Sequence, residues 1–264
     1  MDSQISKNND FFQIIKEYKK RPKNEYYVVE ELFILEMSLK YPCKIIGLLY
    51  CDELCYSEVA KNIIKEYRLR SDNVYQISKK TYNTLAEKDN ASGMIALIHK
   101  PYANLNEEDK TYDKVLVIDG IEIPGNVGTM IRTCDATDFD LVIMVNKVTS
   151  FSHHKTISSS RGMFLKVPFA YLSYEEAQKY LIENNYNIYL GEPILGKPYN
   201  EYDYDGKVAI VVGNERYGIT SNWYQYNHLK VFIPMYGEMK SLNVSIAASI
   251  LMYEVKMKKE LLKK

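Results

Sequence analysis

The sequence predicts an α/β protein with a mostly parallel sheet in its C-terminal half. Short, continuous apolar runs recur after residue 113, and segments with helical spacing separate them. Strands that are buried on both faces and alternate with helices are typical of parallel sheets with helical crossovers. The predicted strands are KVLVID (114–119), LVIMV (141–145), YNIYL (186–190), KVAIVVG (207–213) and KVFIP (230–234).

The first hundred residues predict a separate mixture of helices and strands. Helical spacing of apolar residues marks the segments 11–20, 26–40 and 57–69, and short β-rich runs mark 43–51, 73–78 and 93–100. The polar stretch PYANLNEEDKTYD (101–113) lacks apolar periodicity. We therefore expect an N-terminal α/β domain over residues 1–105, a linker over 106–113 and a larger domain over 114–264.

Composition and charge narrow the functional classes. Lysine plus arginine number 34, as do aspartate plus glutamate, so a site for a polyanion must be local. Basic residues cluster at 16–23, 65–70 and 256–264, although such clusters are more often solvated helix faces. No segment approaches the roughly 20 apolar residues of a membrane span, and the four cysteines lack zinc-site or disulfide spacing. We expect a cytoplasmic protein without a metal or a membrane partner.

The segment IDGIEIPGNVGTMIRTCDA (118–136) predicts a strand, a turn and a helix. Its helical part carries apolar residues at i, i+3, i+4 and i+7, which predicts one buried face. Asn126 stands where a helix N-cap is expected, and Arg132 lies off the apolar face. The glycine spacing is not that of a dinucleotide-binding loop. A surface ion pair between Arg132 and Asp135 is the simpler interpretation of the arginine.

Two later segments also place polar groups at the ends of strands. VAIVVGNERYGIT (208–220) carries Glu215 into a loop, and Ile219 stands where a P-loop needs lysine, which argues against a nucleotide triphosphatase. VFIPMYGEMKSLNVSIAASILMYEV (231–255) predicts a strand, a polar loop and a helix that begins near Asn243. Taken singly, Glu215 could be a structural hydrogen-bond acceptor, and the last segment could be a capped, buried helix.

The combination of these segments is more specific than each alone. It resembles the SpoU/TrmH branch of the SPOUT methyltransferases, which transfer a methyl group from S-adenosylmethionine to a ribose 2′-hydroxyl of RNA. The resemblance covers residues 114–258 and includes SSSRGMFLKVPF (158–169). The motifs that carry it, in chain order, are Asn126-x-Gly128-x3-Arg132, Gly213-Asn-Glu215-x2-Gly218, Ile233-Pro-Met235 and Ser241-Leu-Asn243-Val-Ser245.

Within that branch, three segments are most similar to the thiostrepton/nosiheptide-resistance methyltransferases: VLVIDGIEIPGNVG (115–128), SRGMFLKVPF (160–169) and IPMYGEMKSLNVS (233–245). Those enzymes act on large-subunit ribosomal RNA and carry an N-terminal domain that resembles a small ribosomal protein. Three positions depart from the family pattern. Ile123 replaces a common acidic residue, and Arg216 and Tyr217 stand where small residues are usual. These departures bear on the substrate side of the site.

The resemblance implies a knotted fold, a cofactor site and a set of catalytic residues. The family ties its C-terminal segment into a trefoil knot, binds S-adenosylmethionine there and forms homodimers. It implies contact with the cofactor, largely through main chain, for Gly213, Ile233 and Leu242, with Leu190, Gly191, Met235 and Ser245 as further candidates. It implies catalytic roles for Arg132, Asn126, Glu215, Asn243 and Ser241.

The family assigns the arginine that matches Arg132 the role of a base. Because a guanidinium stays protonated at neutral pH, we expect Arg132 instead to stabilise the developing alkoxide and to bind the adjacent phosphate. Large-subunit ribosomal RNA is the favoured substrate. A tRNA methyltransferase and a catalytically silent RNA-binding protein of the same fold are the alternatives.

Overall fold

The computed structural model describes residues 5–87, 92–106 and 110–262 of the 264-residue chain. The helices are α1 Asp10–Lys20, α2 Leu32–Lys40, α3 Glu58–Arg68, α4 Lys79–Tyr82, α5 Pro124–Ala136, α6 His154–Ser160, α7 Tyr174–Glu183 and α8 Val244–Leu262. The strands are β1 Tyr26–Val29, β2 Lys44–Tyr50, β3 Val74–Gln76, β4 Met94–His99, β5 Lys114–Asp119, β6 Leu141–Val145, β7 Phe169–Tyr171, β8 Tyr186–Glu192, β9 Lys197–Pro198, β10 Lys207–Val212 and β11 Leu229–Phe232.

The first compact unit consists of Met1–Pro101 and Ser150–Lys166. Its four-stranded sheet has the order β1-β4-β2-β3, in which β4 is antiparallel to β1 and β2 and only β2 and β3 are parallel. The predicted helices over 11–20 and 57–69 and the three predicted strands are present. The run 26–40 holds a strand as well as the expected helix, because aromatic and β-branched residues at 26–29 favour β structure.

The segment Ser150–Lys166 packs with the first unit, whereas the sequence predicted it inside the C-terminal domain. Apolar contacts explain this placement. The rings of Tyr27 and Phe164 lie 4.8 Å apart between centroids, and Met37 lies close to Gly162. Of the predicted linker, residues 107–109 lie outside the described part of the chain.

The second compact unit consists of Tyr102–Thr149 and Val167–Lys264. Its seven-stranded sheet has the order β7-β6-β5-β10-β8-β11-β9, and every pair in it is parallel. The predicted α/β class and parallel sheet are therefore confirmed. The sequence missed β7 and β9, which are three and two residues long and thus too short for a periodic pattern.

The strand order brings distant loops to one edge of this sheet. From β5 the chain forms β6 and β7 on one side of the sheet and then crosses back to form β8 on the other side of β5. Strand β10 later inserts between β5 and β8. In the ladders, Val212 of β10 pairs with Ile118 of β5, and Phe232 of β11 pairs with Glu192 of β8. The loops that follow these four strands therefore start side by side. Ligands of open α/β sheets bind at such positions.

Helix α5 begins three residues earlier than the sequence predicted. Pro124 occupies its first turn, where the missing N–H costs nothing and the fixed φ suits a helix. Ile123 is the N-cap residue and makes no side-chain cap. The sequence predicted Asn126 as the N-cap, whereas in the structure it is a buried residue of the first turn. Its amide is left free to bond to other elements.

The last helix, α8, belongs to the second unit and packs on elements that are distant from it in sequence. It packs against α5 and β10. The Thr133 and Ser249 hydroxyls lie 3.0 Å apart, and the sulfurs of Cys134 and Met252 lie 3.6 Å apart. The contact fixes α5 and α8 relative to each other. No helix in the described ranges combines the length and apolar character needed to cross a membrane.

Candidate active site

A cavity of about 570 Å³ lies at the carboxyl ends of β8, β10 and β11. The loops after these strands and the start of α8 form its walls. Eight of the twelve predicted site residues line it: Gly191, Gly213, Glu215, Ile233, Met235, Ser241, Leu242 and Asn243. The structure therefore gathers most of the predicted site from four separate segments of the chain.

Three of the predicted polar residues form one hydrogen-bonded chain. The Asn126 Nδ2 amide donates to Glu215 Oε1 at 2.7 Å, and Asn243 Nδ2 donates to Asn126 Oδ1 at 3.2 Å. The second Glu215 oxygen accepts from the Glu122 backbone N–H at 3.4 Å. Because each residue comes from a different loop or helix, the chain joins the loop after β10, helix α5 and the start of α8.

Asn243 also caps α8. Its Oδ1 accepts from the Ser245 backbone N–H at 2.9 Å and from the Ser245 hydroxyl at 2.6 Å. Ser245 is buried and does not line the cavity. Leu190 does not line it either, because its side chain packs in the core of the second unit. The cap and the core explain why these two predicted residues face away from the cavity.

Arg132 lies apart from the cavity lining. It is exposed on α5, and it makes no hydrogen bond or ion pair with any residue that the structure describes. The surface pair with Asp135 that the sequence suggested is therefore not formed. Arg132 is free to contact a bound molecule.

The loop after β10 is a tight hairpin, residues 213–218. Asn214 and Gly218 exchange two backbone hydrogen bonds of 3.0 and 2.9 Å. The Asn214 side chain accepts from the backbone N–H groups of Arg216 and Tyr217 and donates to the Gly120 carbonyl at 2.8 Å. A Cβ on Gly213 would lie 2.2 Å from the Gly218 carbonyl carbon. Only glycine permits this close approach.

A buried cluster that the sequence did not predict supports the same edge. Asp119, the last residue of β5, is 1% exposed. Its carboxylate accepts from Asn146 Nδ2 at 3.0 Å, from the Tyr174 hydroxyl at 2.7 Å, and from the Thr220 backbone N–H and hydroxyl at 2.9 and 2.8 Å. We call these four residues the Asp119 cluster. A carboxylate that ends an otherwise apolar strand is the signal that could have revealed it.

The cluster keeps its hydrogen-bond donors at physiological pH. Burial raises the pKa of the Tyr174 hydroxyl, and the neighbouring Asp119 carboxylate adds to the increase. Tyr174 therefore remains protonated and continues to donate. Since Thr220 ends the segment that follows the 213–218 hairpin, the cluster anchors that hairpin to β5.

A model of the SpoU rRNA Methylase family matches residues 113–253 of the chain. The protein belongs to this family. The matched region contains the cavity, the hydrogen-bonded chain and the 213–218 hairpin. Membership confirms the predicted enzyme class, an RNA ribose 2′-O-methyltransferase that uses S-adenosylmethionine.

Relatives match the chain over both units. The 23S rRNA (guanosine(2553)-2′-O)-methyltransferase RlmP of Bacillus subtilis is 29% identical, and the match covers 90% of this chain and 91% of RlmP. A putative TrmH family tRNA/rRNA methyltransferase of Staphylococcus epidermidis is 29% identical over 74% of this chain and 81% of its own length. The crystal structure of the SpoU methyltransferase AviRb from Streptomyces viridochromogenes with its cofactor AdoMet has a TM-score of 0.83, at 20% identity, over 96% and 100% of the two chains.

The residues around the cavity fit S-adenosylmethionine, which supplies a methyl group carried on a positively charged sulfonium. The cavity volume lies in the range of small-molecule sites. The described residues that line it are mainly apolar or glycine, and the charged ones are Glu192, Glu215 and Arg216. Glu192 accepts a hydrogen bond from the Tyr224 hydroxyl. Burial raises the pKa of Tyr224, so this donor keeps its proton and holds Glu192 in place.

Replacing Asp119 with alanine tests the importance of the Asp119 cluster. Loss of the carboxylate leaves several partly buried donors without an acceptor, which costs about 1–3 kcal/mol for each buried group left unpaired. We expect Asp119→Ala to lower the free energy of unfolding by about 2–3 kcal/mol. Trp223, the sole tryptophan of the chain, is buried in the second unit, so its fluorescence during urea denaturation reports this change.

Asp203→Ala is the matched control, because Asp203 is exposed in the same unit. Its effect is expected to stay within about 0.5 kcal/mol. Equal urea midpoints for the two variants would contradict a structural role for Asp119.

Proposed function

We propose that this enzyme methylates large-subunit ribosomal RNA, at the position equivalent to the guanosine that RlmP modifies. The observation that supports this substrate is the extent of the match with RlmP, which includes the first unit as well as the methyltransferase region. A tRNA is the second candidate, because the relative from Staphylococcus epidermidis is named for both RNA classes. Ribosomal RNA as the substrate would place the protein in the cytoplasm.

Methylation of defined transcripts tests the substrate. Purified protein and S-adenosylmethionine are incubated separately with a 23S rRNA transcript and with unmodified tRNA, and the products are mapped by their resistance to alkaline cleavage. We expect one new resistant position in the 23S transcript, next to the nucleotide that aligns with guanosine 2553 of the RlmP substrate. New positions in tRNA alone would replace the first candidate with the second.

For the chemistry, we propose that Arg132 acts on the attacking ribose oxygen. As a permanent cation it would stabilise the charge that develops when the 2′-hydroxyl loses its proton, and it would bind the neighbouring phosphate through two N–H groups. Its lack of partners within the described residues supports this role. Asn126, Glu215 and Asn243 would form the polar wall that orients the ribose, and the exposed Ser241 would extend that wall.

For the cofactor, we propose main-chain and apolar contacts. Gly191, Gly213, Ile233, Met235 and Leu242 line the cavity, which supports direct contact for all five. Leu190 and Ser245 would contribute only through their backbone or by support, since their side chains are engaged elsewhere.

Substitution of Arg132 tests the catalytic proposal. We expect Arg132→Ala to lower kcat at saturating RNA by about 10²- to 10³-fold, the usual effect of removing a donor that stabilises developing negative charge. The affinity for S-adenosylmethionine, measured by calorimetry, should stay within about twofold, because Arg132 does not line the cavity.

Arg132→Lys is the informative companion variant. It keeps the charge and loses the planar fork, so its kcat should fall between those of the wild type and Arg132→Ala. A near-normal kcat for Arg132→Ala would refute the assignment.

The finer family features also form part of this proposal. We propose that the C-terminal segment is threaded into a trefoil knot, and the long-range packing of α8 on α5 supports it. The first unit would be an RNA-binding domain akin to a small ribosomal protein, using its basic clusters to contact phosphates. Membership of the thiostrepton/nosiheptide-resistance group would follow if the target nucleotide lies in the binding site of those antibiotics.

We further propose that the enzyme is a homodimer that pairs through α8. An apolar stripe on this helix supports the pairing: Ile246, Tyr253, Met257 and Leu261 are 51%, 50%, 58% and 62% exposed and follow helical spacing. Such a stripe on a helix is costly to leave in water and suits a self-complementary interface.

A charge placed in this stripe tests the dimer. We expect Tyr253→Glu to convert a dimer into a monomer at micromolar concentration, because it buries an unpaired carboxylate in the interface. Size-exclusion chromatography with light scattering gives the mass. Tyr56→Glu, at an 82% exposed tyrosine of the first unit, is the control and should remain dimeric. A monomeric wild type would exclude the proposal.

A further inference from the structure

The tip of the 213–218 hairpin combines a fixed backbone with two unused side chains. The Asn214 side chain accepts from the backbone N–H groups of Arg216 at 2.8 Å and Tyr217 at 3.1 Å. The Asn214–Gly218 bridge closes the hairpin below the tip, and the Asp119 cluster anchors the chain beyond it at Thr220. The side chains of Arg216 and Tyr217, by contrast, make no hydrogen bond, ion pair or ring contact with any described residue.

Arg216 supplies the positive charge at the cavity. Among the described residues that line it, the charged side chains are Glu192, Glu215 and Arg216. A polyanionic substrate approaching two carboxylates needs a cation near them, and an arginine fork matches a phosphate. Since no described carboxylate neutralises Arg216, its charge is available to a ligand.

Tyr217 supplies an exposed aromatic ring beside that cation. The residue is 81% exposed, and it lies two positions after Glu215, which bonds to Asn126. The backbone N–H of Tyr217 is already bonded to Asn214, so the hairpin backbone is fixed before a ligand binds. Stacking of the ring on a ligand therefore costs only the conformational entropy of the side chain. Aromatic rings and arginine side chains are the groups on which proteins stack unpaired RNA bases.

We infer that Arg216 and Tyr217 bind the nucleotide next to the methylated ribose. The Tyr217 ring stacks on its base, and the Arg216 guanidinium binds its phosphate. The inference rests on the proposed RNA substrate and extends it, since it assigns substrate recognition to the hairpin that also carries Glu215. It requires that the target nucleotide be unpaired from its neighbours when it is bound.

The test compares RNA binding and turnover in four variants of the full-length protein. Binding of the 23S rRNA transcript and the KM for it are measured for Tyr217→Ala, Tyr217→Phe, Arg216→Ala and Arg216→Lys. We expect Tyr217→Ala to weaken binding and raise KM at least about fivefold, the lower range for loss of one stacked base. Tyr217→Phe keeps the ring and should stay within about twofold of the wild type.

The arginine variants separate charge from geometry. Arg216→Ala should weaken binding and reduce the slope of log Kd against log salt concentration by about 0.7–1, the contribution of one phosphate contact. Arg216→Lys should restore that slope. Tyr226→Ala is the matched control, because Tyr226 is 40% exposed and precedes β11, at the opposite edge of the sheet. It should leave both quantities unchanged.

Three outcomes would overturn the inference: unchanged binding and KM for Tyr217→Ala, equal losses for Tyr217→Ala and Tyr217→Phe, or conversion of Tyr217→Ala to a monomer, which would assign the ring to a second copy of the chain. If the wild type binds the transcript but methylates no position in it, the proposed ribosomal substrate fails. The same variants are then compared on the tRNA of the second candidate substrate, and the outcomes above decide the inference there. A wild type that binds no RNA overturns both.

Discussion

The organisation of the active site depends on one buried carboxylate at the end of a central strand. Asp119 accepts four hydrogen bonds, and its donors come from the loop after β6, from α7 and from the segment after β10. The parallel register of β5 and β10 puts these segments next to one another. The carboxylate then fixes them, because it is itself buried and its charge is satisfied only when these donors are in place. The hydrogen bonds from Thr220 to Asp119 therefore hold the 213–218 hairpin in position.

The 213–218 hairpin presents side chains in two directions. It carries Glu215, which accepts a hydrogen bond from Asn126, and Asn126 in turn accepts one from Asn243. Its tip carries Arg216 and Tyr217 outward. In the roles proposed above, this one element would contact both the reacting ribose and the nucleotide beside it. The hydrogen bonds of Asn214 to the backbone of Arg216 and Tyr217 hold the turn that separates the two groups.

Local patterns in the sequence predicted the parallel sheet, and the family resemblance implied most of the residues that line the cavity. Continuous apolar runs identify buried strands, and polar residues directly after them identify the carboxyl edge. The start of α5 was predicted wrongly, since Asn126 is a frequent cap residue but Pro124 is a still stronger start signal. Leu190 and Ser245, which the family resemblance implies as cofactor contacts largely through main chain, are not among the residues that line the cavity, and their side chains are engaged in core packing and in the cap of α8.

The partners of Asp119 could not be predicted, because the four members of the cluster lie up to 101 residues apart and the carboxylate at the end of β5 does not by itself identify them. The placement of residues 150–166 with the first unit was missed for the same reason. Their apolar side chains suit either unit, and the choice depends on ring contacts such as that of Tyr27 with Phe164. Local patterns identify strands and helices, whereas contacts across a hundred residues depend on the complete topology.

The hydrogen bond between Asn126 and Asn243 joins residues that are 117 positions apart. Contacts of such long sequence separation form late in folding, because closing the long loop between the two residues costs conformational entropy before the contact can stabilise the chain. Asn126 and Asn243 can therefore bond only once α5 and α8 have packed together, so this polar network forms with the tertiary fold and not with any local element.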